Sequence, residues 1–260
     1  MIYLDVTGGC RLPLQTGIPR TTRELFSGLR SLLPDLLPMA WQPFTAQYTR
    51  LSPRAERMLG DPFSDEFSRR PSPSDSTLPI MASALNDLLS HAPEMIRTEK
   101  FLTPEAILLI TSIFPDNRLE YLLKLRGCPG RRVAIFHDAI PLGDPAVRGW
   151  IRNRHVKALE VFASMDRVIC VSEVSEQALH RLWAEHRMSP AVTHVLPWPV
   201  PMDGERPSWS DASQGVPSVL CVGRLKRLKN QTVLLDASEI LWREGWTFSL
   251  TLVGCEDVPH

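Results

Sequence analysis

A group of cations follows an apolar run late in the sequence. Gly223 comes directly after the apolar residues 218–222, and Arg224 and Lys229 lie before the next helical pattern. A guanidinium group binds phosphate oxygens in a bidentate way, an ammonium group adds a point charge, and glycine permits a tight turn. The pattern therefore indicates a phosphate site, and its alternative is a solvated basic loop.

Two other places carry residues that suit ligand binding. Gly17 stands just before a helical pattern, where backbone N–H groups can approach an anion, although a glycine there is commonly just a turn. His137 and Asp138 directly follow the predicted strand 132–136, which is apolar from residue 133 onward. This pair could orient a sugar hydroxyl, and the alternative is that the histidine is structural.

A fourth polar group follows the predicted strand 167–171, which is apolar from residue 168 onward. Ser172 and Glu173 stand here, with Ser175 in the next turn. Serine at the start of a helix accepts hydrogen bonds from backbone N–H groups, so the favoured interpretation is helix capping. The alternative is that Ser172 and Glu173 face an acceptor substrate.

Short apolar runs that read as strands alternate with helical patterns and position these groups. The predicted strands are residues 2–6, 106–112, 132–136, 167–171, 218–222 and 247–253, and the predicted helices are residues 20–33, 116–125, 146–164, 175–186 and 230–243. Alternation at this spacing is typical of an α/β fold with a parallel sheet, whose buried strands are apolar without interruption. Ligands of such sheets bind beyond the carboxyl ends of the strands.

Proline divides the chain into parts. We predict an N-terminal Rossmann-like domain at 1–196, a linker at 197–217 and the start of a second domain at 218–260. Within the first domain, residues 43–100 are rich in Pro, Ser, Asp and Arg, and we expect a loop-rich insertion with one helix at 80–89. The three elements after residue 217 are too few for a complete doubly wound domain.

Composition excludes several classes of protein. The 29 basic residues balance the 29 acidic ones, so the chain lacks the basic surface of a nucleic-acid binder. The five cysteines are scattered without a C-x-x-C pair, which argues against disulfides and a zinc site. The sequence motifs of phosphate-loop kinases, simple dehydrogenases, serine hydrolases and zinc proteases are also missing. We interpret Cys170 and Cys221 as small core residues.

The sequence favours a cytoplasmic protein. No apolar run approaches the ~20 residues that cross a bilayer, and the N-terminus lacks the features of a signal peptide. Peripheral contact with the inner face of the membrane stays open, because Arg152, Arg154 and Lys157 alternate with apolar residues in the predicted helix 146–164. The same pattern fits an amphipathic helix that covers a sheet.

Taken in order, these segments resemble the retaining glycosyltransferases of family 4, which have a GT-B fold of two facing Rossmann-like domains. The resemblance extends over nearly the whole chain except 43–100. It rests on residues 5–7 with 16–20, on 136–141 (Phe-His-Asp-Ala-Ile-Pro), on 166–173 (Asp-Arg-Val-Ile-Cys-Val-Ser-Glu), and on 222–225 with 229–230 and 252–254.

The resemblance implies transfer of a sugar, mannose or rhamnose, from a nucleotide-sugar donor to a glycan or lipid-linked acceptor with retention of configuration. Arg224 and Lys229 would bind the donor diphosphate, Gly17 would close the loop that faces it, and His137 with Asp138 would lie at the reacting centre. The family needs no metal or other cofactor.

The family also carries a glutamate pair with the spacing E-x7-E in its second domain. The resemblance places this pair well beyond Glu256, which has no partner at that spacing. Two expectations follow: a glycosyltransferase whose donor half is incomplete in these 260 residues, or a catalytically inactive module that binds an acceptor or a partner, such as one half of a split glycosyltransferase.

Overall fold

The computed structural model of the chain describes residues 1–11, 17–62, 64, 77–91, 94–113, 116–143, 149–198, 215–225 and 227–254. Within these ranges the fold is α/β. The strands are β1 (Ile2–Asp5), β2 (Leu36–Gln42), β3 (Gln47–Arg50), β4 (Met95–Ile96), β5 (Ile107–Ile110), β6 (Arg131–Phe136), β7 (Arg167–Cys170), β8 (Thr193–Val195), β9 (Ser218–Val222) and β10 (Ser249–Val253).

Helices connect most of these strands. They are α1 (Thr7–Arg11), α2 (Gly17–Leu32), α3 (Pro53–Gly60), α4 (Thr77–His91), α5 (Thr98–Phe101), α6 (Arg118–Lys124), α7 (Ile140–Gly143), α8 (Gly149–Ala163), α9 (Glu173–Glu185) and α10 (Gln231–Arg243). The chain divides into two compact units, of which the first contains β1 to β8 and the second contains β9, α10 and β10.

The described strands of the first unit form one eight-stranded sheet in the order β4-β3-β2-β1-β5-β6-β7-β8. The pairs β2–β3 and β3–β4 are antiparallel and all other neighbours are parallel. The α/β fold with a parallel sheet predicted from the sequence is therefore confirmed, whereas the antiparallel strands β3 and β4 were not predicted. The chain runs outward from β1 through β2 and β3 to β4 in one direction, and from β5 to β8 in the other.

Helices cover both faces of this sheet. Along β1, Tyr3 belongs to one apolar cluster and Leu4 to another, because successive side chains of a strand point to opposite faces. The larger cluster contains buried residues of α6, α8 and α9. The smaller one contains Cys10 of α1 with Ala55 and Leu59 of α3. In open α/β sheets, ligands bind beyond the carboxyl ends of the strands.

The loop-rich interpretation of residues 43–100 is wrong for its described part, although the helix predicted at 80–89 is confirmed as part of α4. The stretch also contains β3, α3, β4 and the start of α5. One proline begins a helix here: Pro53 is at the first position of α3, whose N-cap Ser52 accepts a 3.1 Å hydrogen bond from the Ala55 N–H. A first helical turn has no internal partner for its N–H groups, so proline costs nothing there.

Four further elements were not predicted: α1, α7, β8 and β2. No helix or strand was predicted for the residues that form α1, α7 and β8. Strand β2 was not anticipated because it contains Pro38, which pairs with Leu4 of β1, whereas the ladder to β3 starts only at Met39. Proline is tolerated where the strand has no neighbour on the side of its missing N–H.

The second unit is a parallel pair of strands with one helix. Strand β9 pairs with β10 from Ser218↔Ser249 to Val222↔Val253. Cys221 is only partly buried, so its assignment to a core is wrong, whereas Cys170 is buried as predicted. The predicted linker 197–217 lies mostly outside the described residues.

Candidate functional site

The order of strands reverses between β1 and β5, and the residues that follow β5 and its neighbour β6 form the centre of the candidate site. In open α/β sheets the crevice at such a reversal, beyond the carboxyl ends of the strands, is where ligands bind. Thr111 and Ser112 follow β5, and His137 and Asp138 follow β6, the next strand in the sheet. The sheet therefore brings these residues to one edge.

His137 is held in one orientation and one tautomer. Its Nε2 atom lies 2.8 Å from the carbonyl oxygen of Thr111. A carbonyl can only accept, so Nε2 carries the proton and the Nδ1 lone pair is the acceptor of the neutral ring. Burial lowers the pKa of His137, against smaller opposing effects of this hydrogen bond and of the Asp138 charge. At neutral pH the ring is an uncharged hydrogen-bond acceptor.

Asp138 has a local structural role beside its charge. It is exposed, and its Oδ1 accepts a 3.0 Å hydrogen bond from the backbone N–H of Ile140 at the start of α7. Its carboxylate raises the pKa of both His137 and His155, but less than burial lowers it. Asp138 thus shapes the turn that follows His137 and adds negative charge beside both rings.

A cavity of about 230 Å³ opens beside His137. It is lined by Ile18, Ser112, Ile113, Ile135, Phe136, His137, Asp138, Ala139, Leu142, His155, Ala158, Leu159 and Phe162. The residues from α8 recur at intervals of three and four, which puts them on one face of the helix. That spacing identifies His155, a second histidine with a pKa lowered by burial, which was not singled out from the sequence.

Gly17 stands at the first position of α2, beside this cavity, since the next residue, Ile18, lines it. Among the residues that the structure describes, none has an atom within 4 Å of a Cβ placed at Gly17. Packing against these residues therefore does not require glycine here, and the position lies at a helix N-terminus, whose N–H groups and dipole favour anions. The first turn of α2 has no acidic residue.

Ser172 caps α9, as predicted. Its Oγ accepts a 3.1 Å hydrogen bond from the Ser175 N–H and donates to the Ser175 Oγ at 3.0 Å. The Ser175 hydroxyl in turn donates to the carbonyl oxygen of His137 at 2.8 Å. The structure therefore connects Ser172 to His137 through one hydroxyl. Glu173 is exposed in the first turn of α9, where a negative charge is favourable.

A buried ion pair lies beneath this edge. Arg118 Nη1 donates to Asp5 Oδ2 at 2.5 Å, and both side chains are only 1% exposed. The same carboxylate accepts hydrogen bonds from the hydroxyls of Tyr48, at 2.9 Å, and Thr7. Burial raises the pKa of Tyr48 well above its ordinary value, with the Asp5 charge as the next cause. Asp5, at the end of β1, anchors the centre of the sheet.

In the second unit, Arg224 and Lys229 lie between the end of β9 and the start of α10. Arg224 is half-buried and its carbonyl accepts a 2.7 Å hydrogen bond from Gln231 Nε2, whereas Lys229 is exposed in a 3-10 turn. Asn230 precedes α10 in the left-handed region, with φ 52°. Both cations thus flank a helix N-terminus, and they belong to a different unit from Gly17 and His137.

Gly254 closes the same end of the second unit. Its backbone packs on that of Gly223, so a Cβ at this position would overlap the Gly223 carbonyl. The Gly223 N–H donates to the carbonyl of Val253 at 2.8 Å. Glycine is therefore required at 254 for close approach of the two strand ends.

The described residues contain no group of three or more His, Cys, Asp or Glu side chains that could hold a metal ion. They also contain no helix that is long and apolar enough to span a bilayer. In α8, the apolar residues Ala158, Leu159, Val161 and Phe162 are buried in the core and Lys157 pairs with Glu120 at 2.6 Å, so this helix covers the sheet.

No protein-family model matches the chain, and a search of curated proteins finds no significant match.

Proposed function

We propose that the protein is a retaining glycosyltransferase of GT-B type, which transfers a sugar from a nucleotide-sugar to an acceptor hydroxyl. The observation that carries the proposal is the cavity at the reversal of strand order, where the neutral, oriented His137 lies near the N-terminus of α2. Ligands with hydroxyl and phosphate groups suit such an edge, since the ring accepts a hydroxyl proton and the helix favours an anion.

The donor diphosphate is assigned to Arg224 and Lys229. Two cations at a helix N-terminus stabilise the negative charge that develops on the diphosphate as it leaves the sugar. The bond between the anomeric carbon and the phosphate oxygen breaks, the acceptor oxygen takes its place, and the acceptor proton leaves with the nucleoside diphosphate. His137 orients a hydroxyl of the transferred sugar, and no metal ion takes part.

Binding of UDP and GDP, measured by titration calorimetry on the full chain, tests the donor site. Replacing both Arg224 and Lys229 with Ala removes hydrogen bonds to a charged group, worth about 1.5–3 kcal/mol each, so we expect affinity to fall at least tenfold. Arg243→Ala is the matched control, because Arg243 is an exposed cation that pairs with Glu239 at the other end of α10. Equal affinities of all three proteins would contradict the assignment.

Incubation with GDP-mannose, dTDP-rhamnose and other nucleotide-sugars tests the reaction itself. A transferred sugar should have the same anomeric configuration in the product as in the donor, measured by NMR. An inverted product would exclude the retaining mechanism.

A catalytically inactive, partner-binding module is the second candidate, and the surface of the second unit favours it. Among its described residues the apolar side chains of Val222 and Trp246 are 71% and 65% exposed, and Ser238 is the one buried side chain. Parallel strands normally have both faces covered. If neither nucleotide binds and no sugar is transferred, this candidate replaces the first.

A further inference from the structure

The cavity beside His137 differs between its floor and its mouth. The buried lining residues are Ser112, Ile135, Phe136, Ala158, Leu159 and Phe162, of which only Ser112 is polar. The other lining residues are less buried and lie toward the mouth: the polar His137, Asp138 and His155, and the apolar Ile18, Ile113, Ala139 and Leu142. Three of the four polar lining side chains therefore lie where the cavity opens, and the buried side chains of the lining are apolar except for Ser112.

A sugar ring does not suit this interior. Each buried hydroxyl needs a hydrogen-bond partner, because an unpaired one costs the free energy of its lost hydration. The floor offers the Ser112 hydroxyl and otherwise hydrocarbon from aliphatic and phenyl groups. Small-molecule sites with such a lining take an apolar body and use a few polar groups at the edge to fix its orientation.

The size of the cavity limits what enters it. Its volume of about 230 Å³ is below the ~300–1,000 Å³ of pockets that enclose a whole ligand. It therefore suits one part of a larger molecule, such as a short stretch of alkyl chain. Beyond the cavity, Ile140 on α7 is 54% exposed, and α7 packs on α8. Ile140 lies between Ala139 and Leu142, which both line the cavity, so exposed apolar surface continues along this segment of the chain.

We infer that this cavity binds the hydrocarbon part of the acceptor, so that the acceptor is an amphiphile with an alkyl or similar chain next to the hydroxyl that receives the sugar. The inference rests on the proposed function for the identity of the ligand as an acceptor. His137 and Asp138 at the mouth lie where the polar head begins, and the apolar floor selects against a bare glycan.

Alkyl β-D-glucosides test the inference without any donor. Methyl, butyl and hexyl glucoside have the same head group and are compared by calorimetry below their micelle-forming concentrations. A buried methylene contributes enough to raise affinity about fourfold, so we expect binding to strengthen from butyl to hexyl and methyl glucoside to bind undetectably. Equal binding of all three would overturn the inference.

Two variants locate the binding. Ala158→Leu fills the floor, and Leu142→Gln places an amide at the half-buried mouth, where misfolding is less of a risk. Both should abolish the dependence on chain length. Ala184→Leu on the exposed side of α9 is the matched control and should preserve it. Chain-length dependence that survives in both cavity variants would show that the glucosides bind elsewhere and would overturn the inference.

The outcomes separate this inference from the proposed function. Suppose that the wild type binds alkyl glucosides, the cavity variants do not, and no nucleotide binds. The amphiphile site would then stand, and the proposed glycosyltransferase function would be rejected. Suppose instead that nucleotides bind and that sugar is transferred to methyl and hexyl glucoside at equal rates. The glycosyltransferase function would then stand, and the amphiphilic acceptor would be rejected.

Discussion

Thr111 accepts a hydrogen bond from His137 Nε2 through its carbonyl oxygen, at 2.8 Å, and so joins the ends of β5 and β6. The side chain of the same residue donates to the backbone oxygen of Asp5 at 2.8 Å and lies 3.1 Å from the hydroxyl of Thr22 in α2. One residue at the reversal of strand order therefore links three strand ends and a helix. The orientation of His137 depends on this connection.

The stability of the first unit should fall as the pH drops below about 6.5. Burial lowers the pKa values of His137 and His155 below the ordinary value of about 6.5, which they regain on unfolding. Between the unfolded and folded pKa values the unfolded chain binds more protons, so protonation favours unfolding. Above a pH of about 6.5 the two histidine rings are mostly neutral in both the folded and the unfolded chain, so stability no longer depends on them.

Urea unfolding at several pH values from 7.5 to 5.5 measures this effect. His137 contributes at most about 1.4 kcal/mol per pH unit, and the half-exposed His155 contributes less. His137→Gln should flatten the pH dependence, whereas His194→Gln, at an exposed position, should leave it unchanged. An identical slope in the wild type and the His137 variant would contradict the prediction.

Asp5→Asn should destabilise the first unit strongly. The substitution keeps the shape of the side chain but removes the charge that faces the buried Arg118 guanidinium. Removing one member of a buried ion pair costs about 3–5 kcal/mol, because the other charge stays buried without full compensation. We expect a Tm lowered by about 6–20 °C in thermal unfolding followed by circular dichroism.

Arg20→Ala is the control for this substitution. Arg20 pairs with Glu24 at 2.7 Å on the surface of α2, where both side chains are 53% exposed. An exposed pair contributes less than about 1 kcal/mol, so the Tm should change little. Similar losses in the two variants would show that burial does not strengthen the Asp5–Arg118 pair.

The sequence predicts the parts of this fold whose stability is mostly local. Continuous apolar runs identified β6, β7 and β9, and the polar groups after such runs identified His137 and Ser172. Helix α1 escaped prediction because Gly8 and Gly9 disfavour a helix, and its packing comes from distant residues. A Cβ at Gly9 would lie 2.9 Å from Thr22 in α2, so the close approach of the two helices requires glycine.

Sequence analysis missed parts of the site for the same physical reason, since these parts depend on contacts between residues that are distant in the chain. Asp5 and Arg118 are 113 residues apart, and nothing in either local pattern identifies the other as its partner. His155 lines the cavity only because α8 packs beside the end of β6. Contacts of this kind depend on the assembled sheet, whereas periodicity and turn residues describe only neighbours along the chain.

Gly17→Ala should separate ligand binding from folding. No described residue would contact a Cβ at this position, and alanine is favoured over glycine within a helix, so the free energy of unfolding should stay the same or rise by up to about 1 kcal/mol. A Cβ beside the helix N-terminus should nevertheless weaken the binding of an anion, because it obstructs the approach of the anion to the backbone N–H groups. Calorimetry with UDP and GDP measures this, and unchanged affinity would remove Gly17 from the candidate site.

Gly130→Ala is the contrasting substitution at a glycine that packing requires. A Cβ at this position would lie 2.8 Å from the carbonyl oxygen of Thr103 and would overlap Leu102. Overpacking of this kind costs about 1–3 kcal/mol, so Gly130→Ala should lower stability. The two variants are compared by urea unfolding.

Ser172→Ala should cost about 1 kcal/mol, because the Ser175 N–H at the start of α9 loses its acceptor. Ser31→Ala is the control, since Ser31 is an exposed serine whose hydroxyl donates to the Gly28 carbonyl near the end of α2. Ser172→Asn retains a side-chain oxygen that caps well, so it should restore the stability measured by urea unfolding.

The same pair of variants tests whether Ser172 faces the acceptor. If Ser172 only caps α9, the Asn variant should recover hexyl glucoside binding together with stability. If its hydroxyl contacts the acceptor, stability should recover while binding stays weak, because an amide does not reproduce the position of the hydroxyl. We expect joint recovery, since both hydrogen bonds of the Ser172 Oγ are made to Ser175.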